Sequence, residues 1–142
     1  MTNYSFVSPS GIVVDRAERK IDFERGIGFL IDALNDTCGA YLSSGVEDQD
    51  RYARWDFGFI DPPVEAVAHQ GQFRLTALNG RGVPILGMLR PLLLKDHNIE
   101  LKDEDETNLF LTIKSPNRIF AEEERSRQPS TFTPIRILMA EF

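Results

Sequence analysis

A chain of 142 residues, 42% hydrophobic and 27% charged, has the length and apolar content of one globular domain with its own core. Its formal net charge of -6 opposes a nucleic-acid or anionic-membrane partner, because phosphate binding needs clustered Lys and Arg to displace counterions. The single cysteine, Cys38, allows no internal disulfide, and one thiol with two distant histidines, His69 and His97, makes no metal site.

Met1 to Ser10 lacks a basic run followed by an apolar one, and no stretch approaches the roughly 20 apolar residues of a membrane span, so the expected address is cytoplasmic. Ile12 to Val14 opens a strand. Asp22 then precedes Phe23, Ile27, Ile31 and Leu34, whose spacing of three and four predicts an amphipathic helix with Asp22 as its cap. After the turn residues Asn35 to Gly39, Ala40 to Ser44 reads as a short strand ending at Gly45.

From Arg54 the apolar residues alternate, with Trp55, Phe57 and Phe59 on one side of an extended chain that Asp61-Pro62-Pro63 stops. Val64 to His69 and Gln72 to Leu78 are alternating runs joined by Gln70-Gly71, which predicts a tight hairpin. Val83 to Leu94 contains Pro84 and Pro91, which remove ladder donors, and is expected to be irregular strand and loop.

Asn98 to Leu101 and Asn108 to Lys114 predict a second hairpin around the polar run Lys102 to Glu106. That run reads as a solvated turn and not as a calcium loop, because it lacks the central Gly. Ser130 to Phe142 places Ile135, Leu138, Met139 and Phe142 at helical spacing, with an apolar stripe reaching the last residue as though the chain were cut there. Consecutive hairpins rather than alternating strands and helices predict an α+β fold over residues 1–142, a single domain of largely antiparallel sheet with two amphipathic helices.

Catalytic chemistry has little to stand on. Ser43-Ser44 sits in no Gly-x-Ser-x-Gly setting, no phosphate-binding Gly-rich loop is present, and Glu122-Glu123-Glu124 point in different directions on any regular element. An amino-acid site has better support from residue type. An ammonium needs oxygen acceptors, a carboxylate suits an Arg fork, and a side chain needs an apolar slot; Ser43, Ser44 and Arg54 with Tyr52, Trp55 and Phe57 offer all three, and Arg51 is a second cation. Trp55, Phe57 and Phe59 at period two equally describe a core-facing strand with no ligand.

The stretch Leu42 to Pro63 resembles a segment of anthranilate synthase component I, above all the bacterial form fused to its glutamine amidotransferase. The resemblance extends to Gly11-Ile-Val-Val, Ile31-Asp-Ala-Leu, Leu75 to Gly82 and Glu122-Glu-Glu-Arg-Ser-Arg-Gln-Pro-Ser, in the same order. It implies the amino-terminal regulatory region of a larger layered α/β enzyme, binding L-tryptophan as feedback inhibitor. Ser43, Ser44, Arg54 and Trp55 would be the inhibitor contacts, Leu42, Arg51 and Tyr52 further candidates, and the indole would lie between the two strands.

In the intact family enzyme the carboxyl-terminal region and the amidotransferase convert chorismate to anthranilate with glutamine or ammonia, and magnesium helps to hold chorismate. Nothing here resembles the chorismate-binding signatures. The resemblance therefore implies a fragment of a lyase that is inactive alone, with no catalytic residue, metal or cofactor in this chain and with the missing regions as partners. A homodimer is a further expectation. Many relatives carry Tyr-Pro-Gly where this chain has Asp48-Gln49-Asp50, which changes the turn chemistry. Two alternatives stand beside this reading: a non-catalytic module docking through the apolar terminal helix, and part of another chorismate-using enzyme such as aminodeoxychorismate synthase.

Overall fold

A computed structural model describes residues 1–44, 55–114 and 128–141. The elements run β1 (Thr2–Val7), β2 (Val13–Glu18), α1 (Phe23–Leu34), β3 (Gly39–Ser43), β4 (Asp56–Ile60), β5 (Val64–His69), β6 (Gln72–Ala77), α2 (Gly82–Leu93), β7 (Ile99–Glu104), β8 (Asn108–Ile113) and α3 (Thr133–Glu141). The fold is α+β and every described register is antiparallel. Two compact units form, one from Met1–Asn3 with Ala17–Pro62 and the other from Tyr4–Arg16 with Pro63–Phe142.

In the first unit Asp22 caps α1 as its sequence position predicts, accepting the Arg25 amide proton at 3.0 Å from an extended backbone. The predicted stripe is rotated. Ile27, Leu30 and Leu34 are half-buried, whereas Phe23 and Ile31 remain exposed. The cause is glycine: a Cβ on Gly58 would strike the Leu30 side chain and one on Gly39 would strike Leu34, so the helix settles where these two positions leave room.

The second unit holds the core. Strand order β5-β6-β8-β7 places Phe73 opposite Leu111 and Leu75 opposite Leu109, so alternation stacks these side chains on one face. Leu86, Leu89 and Leu93 of α2 cover that face, and Ile135, Ile137 and Leu138 of α3 pack against the same cluster. The stripe expected on α3 is thus covered at Ile135 and Leu138, while Met139 is exposed and Phe142 lies outside the described residues. The tight hairpin forms where predicted, with Gln70 at φ 47° and Gly71 at φ 78°, the two positive angles a two-residue turn between twisted strands requires.

Gly82–Leu93 is a helix, correcting the expected irregular strand and loop. Pro84 falls in the first turn, where amide groups have no helical partner to lose. Pro91 lies inside and leaves the Gly87 carbonyl without its usual donor, a cost offset by burial of Leu86, Leu89, Leu92 and Leu93. The polar run after Leu101 is also more ordered than a solvated turn: β7 continues to Glu104 through a register shift between Leu101 and Asp103.

Glu104 takes both Nε and Nη2 of Arg90 on α2, at 2.6 and 3.0 Å, and Asp105 closes the turn by accepting from the Thr107 amide at 2.7 Å and from the Asn108 side chain. The Arg90 hydrogen bond holds the Glu104 carboxyl below its ordinary range, and the Thr107 amide does the same for Asp105.

Gly82 is the tightest joint of this unit, because a Cβ there would collide with the Pro63 carbonyl oxygen and lie 2.8 Å from Ala77 Cα and Cβ. Gly82→Ala is expected to cost about 3 kcal/mol in urea unfolding, since backbone and not a flexible side chain must yield; a loss under about 1 kcal/mol would show that the α2 start relaxes freely. Glu104 and Asp105, depressed in the fold, stabilise it above the ordinary carboxylate range, and that stability drains away as pH falls through their lowered values. Unfolding free energy should therefore decline below about pH 4, with a shallower decline in Glu104→Gln; an identical acid slope in that variant would mean the Arg90 pair does not form in solution.

Candidate functional site

The predicted site residues converge on the hairpin of β3 and β4. Its ladder pairs Gly39 with Ile60, Tyr41 with Gly58 and Ser43 with Asp56, alternating with Ala40 opposite Phe59 and Leu42 opposite Phe57. One step beyond, Ser44 clamps Trp55. The Ser44 amide and hydroxyl both donate to the Trp55 carbonyl at 3.0 Å, and the Ser44 Oγ accepts the Trp55 amide proton at 2.8 Å. Ser43, Ser44 and Trp55 are therefore brought together, whereas Arg51, Tyr52 and Arg54 lie outside the described residues, as do Asp48, Gln49 and Asp50.

Alternation splits this set between two faces. Gly39, Tyr41 and Ser43 with their partners Ile60, Gly58 and Asp56 share the face covered by α1, and Leu42, Ser44, Trp55, Phe57 and Phe59 share the other. Trp55, Phe57 and Phe59 are 60%, 54% and 42% exposed, so the aromatic row is not a core strand in this structure. Phe57 and Phe59 lie tilted with ring centroids 6.2 Å apart. β3 and β4 are hydrogen-bonded to each other from Gly39 opposite Ile60 to Ser43 opposite Asp56, which leaves no room for an indole between those paired residues.

A cleft of about 240 Å³ opens instead between α1 and the hairpin, walled by Phe23, Ile27, Leu30 and Tyr41 and bearing the carboxylates of Asp22 and Asp56. It is slightly smaller than the usual 300–1,000 Å³ or so of ligand pockets. Both Asp56 oxygens are shut off from solvent. Asp22 serves the α1 cap, and Tyr41 adds a phenol to this cleft. Sequence reasoning passed over Tyr41 and Asp56; the available signal was Gly58 between two Phe residues, a position where a side chain must be missing for another element to approach.

A larger hollow, about 430 Å³, lies on the outer face of the four-stranded sheet around Phe110, Val67 and His69. Its cations are engaged, Arg74 with Glu65 and Lys102 with Glu100, each at 3.6 Å, and none of the predicted residues lies there. Among the described residues no three His, Cys, Asp or Glu side chains gather as a metal site would need, and no helix is long and apolar enough to cross a membrane.

The chain is 35% identical over 134 residues to an anthranilate synthase of Azospirillum brasilense, covering 94% of this chain and 18% of that relative. It thus spans less than a fifth of the relative's length. No family model matches the chain, and no solved structure does.

The Ser44 clamp generates its own test. Ser44→Ala removes a donor and an acceptor from the hairpin's open end, a loss of about 1 kcal/mol, so exchange of the Trp55 amide hydrogen should quicken roughly fivefold. Unaltered exchange at Trp55, followed by mass spectrometry, would show that the hydroxyl does not hold the two strands together.

Proposed function

From a kinship with anthranilate synthase that runs through nearly the whole chain, we propose that these residues form the amino-terminal regulatory portion of such an enzyme and bind L-tryptophan as feedback inhibitor. The observation that carries this reading is the cleft beside α1, walled by Phe23, Ile27, Leu30 and Tyr41, within a chain similar to anthranilate synthase over 134 residues. Phe23, Ile27 and Leu30 would supply the apolar wall for an aromatic side chain, and the Arg54 guanidinium would take the carboxylate of a zwitterionic amino acid. Ser44 and Trp55 would act by fixing the hairpin end, since the Ser44 hydroxyl proton is already given to the Trp55 carbonyl.

In the complete enzyme such binding would shift the balance between active and inhibited states by favouring one of them. The conversion of chorismate to anthranilate, magnesium binding and ammonia delivery would belong to regions outside this chain, which makes no anthranilate by itself. A second reading, a non-catalytic docking module, is favoured by the exposed row Leu42, Trp55, Phe57 and Phe59. Docking through α3 is the weaker form of it, because Ile135, Ile137 and Leu138 are packed on the core.

Calorimetric titration with L-tryptophan, against D-tryptophan, separates these readings. The expected result is stereospecific binding that weakens at least about tenfold in Arg54→Ala, the scale of one charge-assisted hydrogen bond. Absence of heat up to millimolar L-tryptophan, on a chain whose circular dichroism shows it folded, would overturn the regulatory-site reading.

A further inference from the structure

Gly26 on α1 and Gly58 on β4 both line the α1 cleft, and the space of each missing side chain is taken by the flexible end of another residue. A Cβ on Gly26 would stand 2.7 Å from Ile21 Cδ1, and one on Gly58 would strike Leu30 Cδ2. Neither glycine has a positive φ, so the backbone conformation does not demand them; space does. Gly58 stands opposite Tyr41 in the hairpin register and is exposed although Leu30 lies over it, so open space reaches its backbone. A Gly58 Cβ would also lie 3.0 Å from the Ala40 carbonyl oxygen, a backbone atom of a paired strand that does not yield. Leu30 must move instead, and Leu30 borders the empty volume of the cleft.

We propose that Gly26 and Gly58 set the size of the ligand side chain that the α1 cleft admits: bare backbone on two walls leaves room for an aromatic ring, and a methyl group on either wall shuts it out. The cleft, about 240 Å³, is already smaller than most ligand pockets and has no slack to absorb an added methyl. In close-packed surroundings one methylene changes affinity by roughly 10–200-fold. The inference deepens the tryptophan reading and rests on it for the amino-acid part of the ligand. Indole, which lacks the ammonium and carboxylate, probes the size limit by itself.

The test titrates the whole chain with indole, followed by NMR at the Ile27 and Leu30 methyl groups, and with L-tryptophan, followed by calorimetry. Indole should shift those methyls. Gly58→Ala should weaken indole and L-tryptophan at least about tenfold each, and adding Leu30→Ala to it should restore most of the loss. Gly26→Ala should weaken both ligands while raising the melting temperature by about a few degrees, because alanine is the better helix former and the Ile21 side chain that must shift is exposed. Weaker binding in a more stable chain is an outcome that disturbed folding does not produce, so Gly26→Ala decides the matter even if circular dichroism shows Gly58→Ala unfolded. Indole binding without L-tryptophan binding would remove the tryptophan reading and leave the size limit standing. No shift of the Ile27 and Leu30 methyls by indole, unchanged binding in Gly26→Ala or in folded Gly58→Ala, or a loss that Leu30→Ala does not restore, would overturn the size limit itself.

Discussion

Close approach of a helix to a strand at a glycine governs both units of this protein. In one, α2 can begin against Pro63 and Ala77 only because Gly82 has no side chain; in the other, α1 rests on the hairpin at Gly58 and Gly39. Each contact fixes which stripe of the helix faces inward. The consequence in the second unit is a core of Leu86, Leu89 and Leu93 over Phe73, Leu75, Leu109 and Leu111, and in the first a shallower contact that leaves the cleft beside Tyr41 and Asp56. Burial on that scale, at roughly 25 cal/mol for each Å² of apolar surface, explains how the second unit tolerates a proline inside α2.

Among its described residues the first unit has no fully buried hydrophobic side chain, and they are organised by the Asp22 cap, the antiparallel ladder and the Ser44 clamp. A lightly buried element next to a small cleft is the kind of structure whose populations a ligand can shift, since little packing has to be broken. The exposed aromatic row on the opposite face of the same hairpin gives β3 and β4 two surfaces, one covered by α1 and the other apolar and open.

The tertiary role of the acidic run from Asp103 to Glu106 shows how one charge pattern takes different duties. Glu104 ties β7 to α2 through Arg90, Asp105 organises the turn into β8, and both remain exposed enough that solvent screens their effect. Their depressed pKa values follow from hydrogen bonds to the charged form, not from burial.

Local chemistry alone settled much of this protein. Asp22 before an amphipathic run specified α1 and its cap, Gln70-Gly71 between alternating strands specified the β5–β6 hairpin, and consecutive hairpins specified an α+β class, because caps, tight turns and period-two alternation depend on near neighbours. The similarity to anthranilate synthase was legible in the sequence for the same reason, as a string of residues. Proximity in space was not legible. Two prolines hid α2 although Leu86, Leu89 and Leu93 keep helical spacing, since proline's cost is overridden by burial that sequence does not display. The division of Ser43 from Ser44 and Trp55 and the cleft at Asp56 were decided by which strands pair and where α1 lands. Those depend on contacts between residues distant in the chain, and only the tertiary structure brings them together.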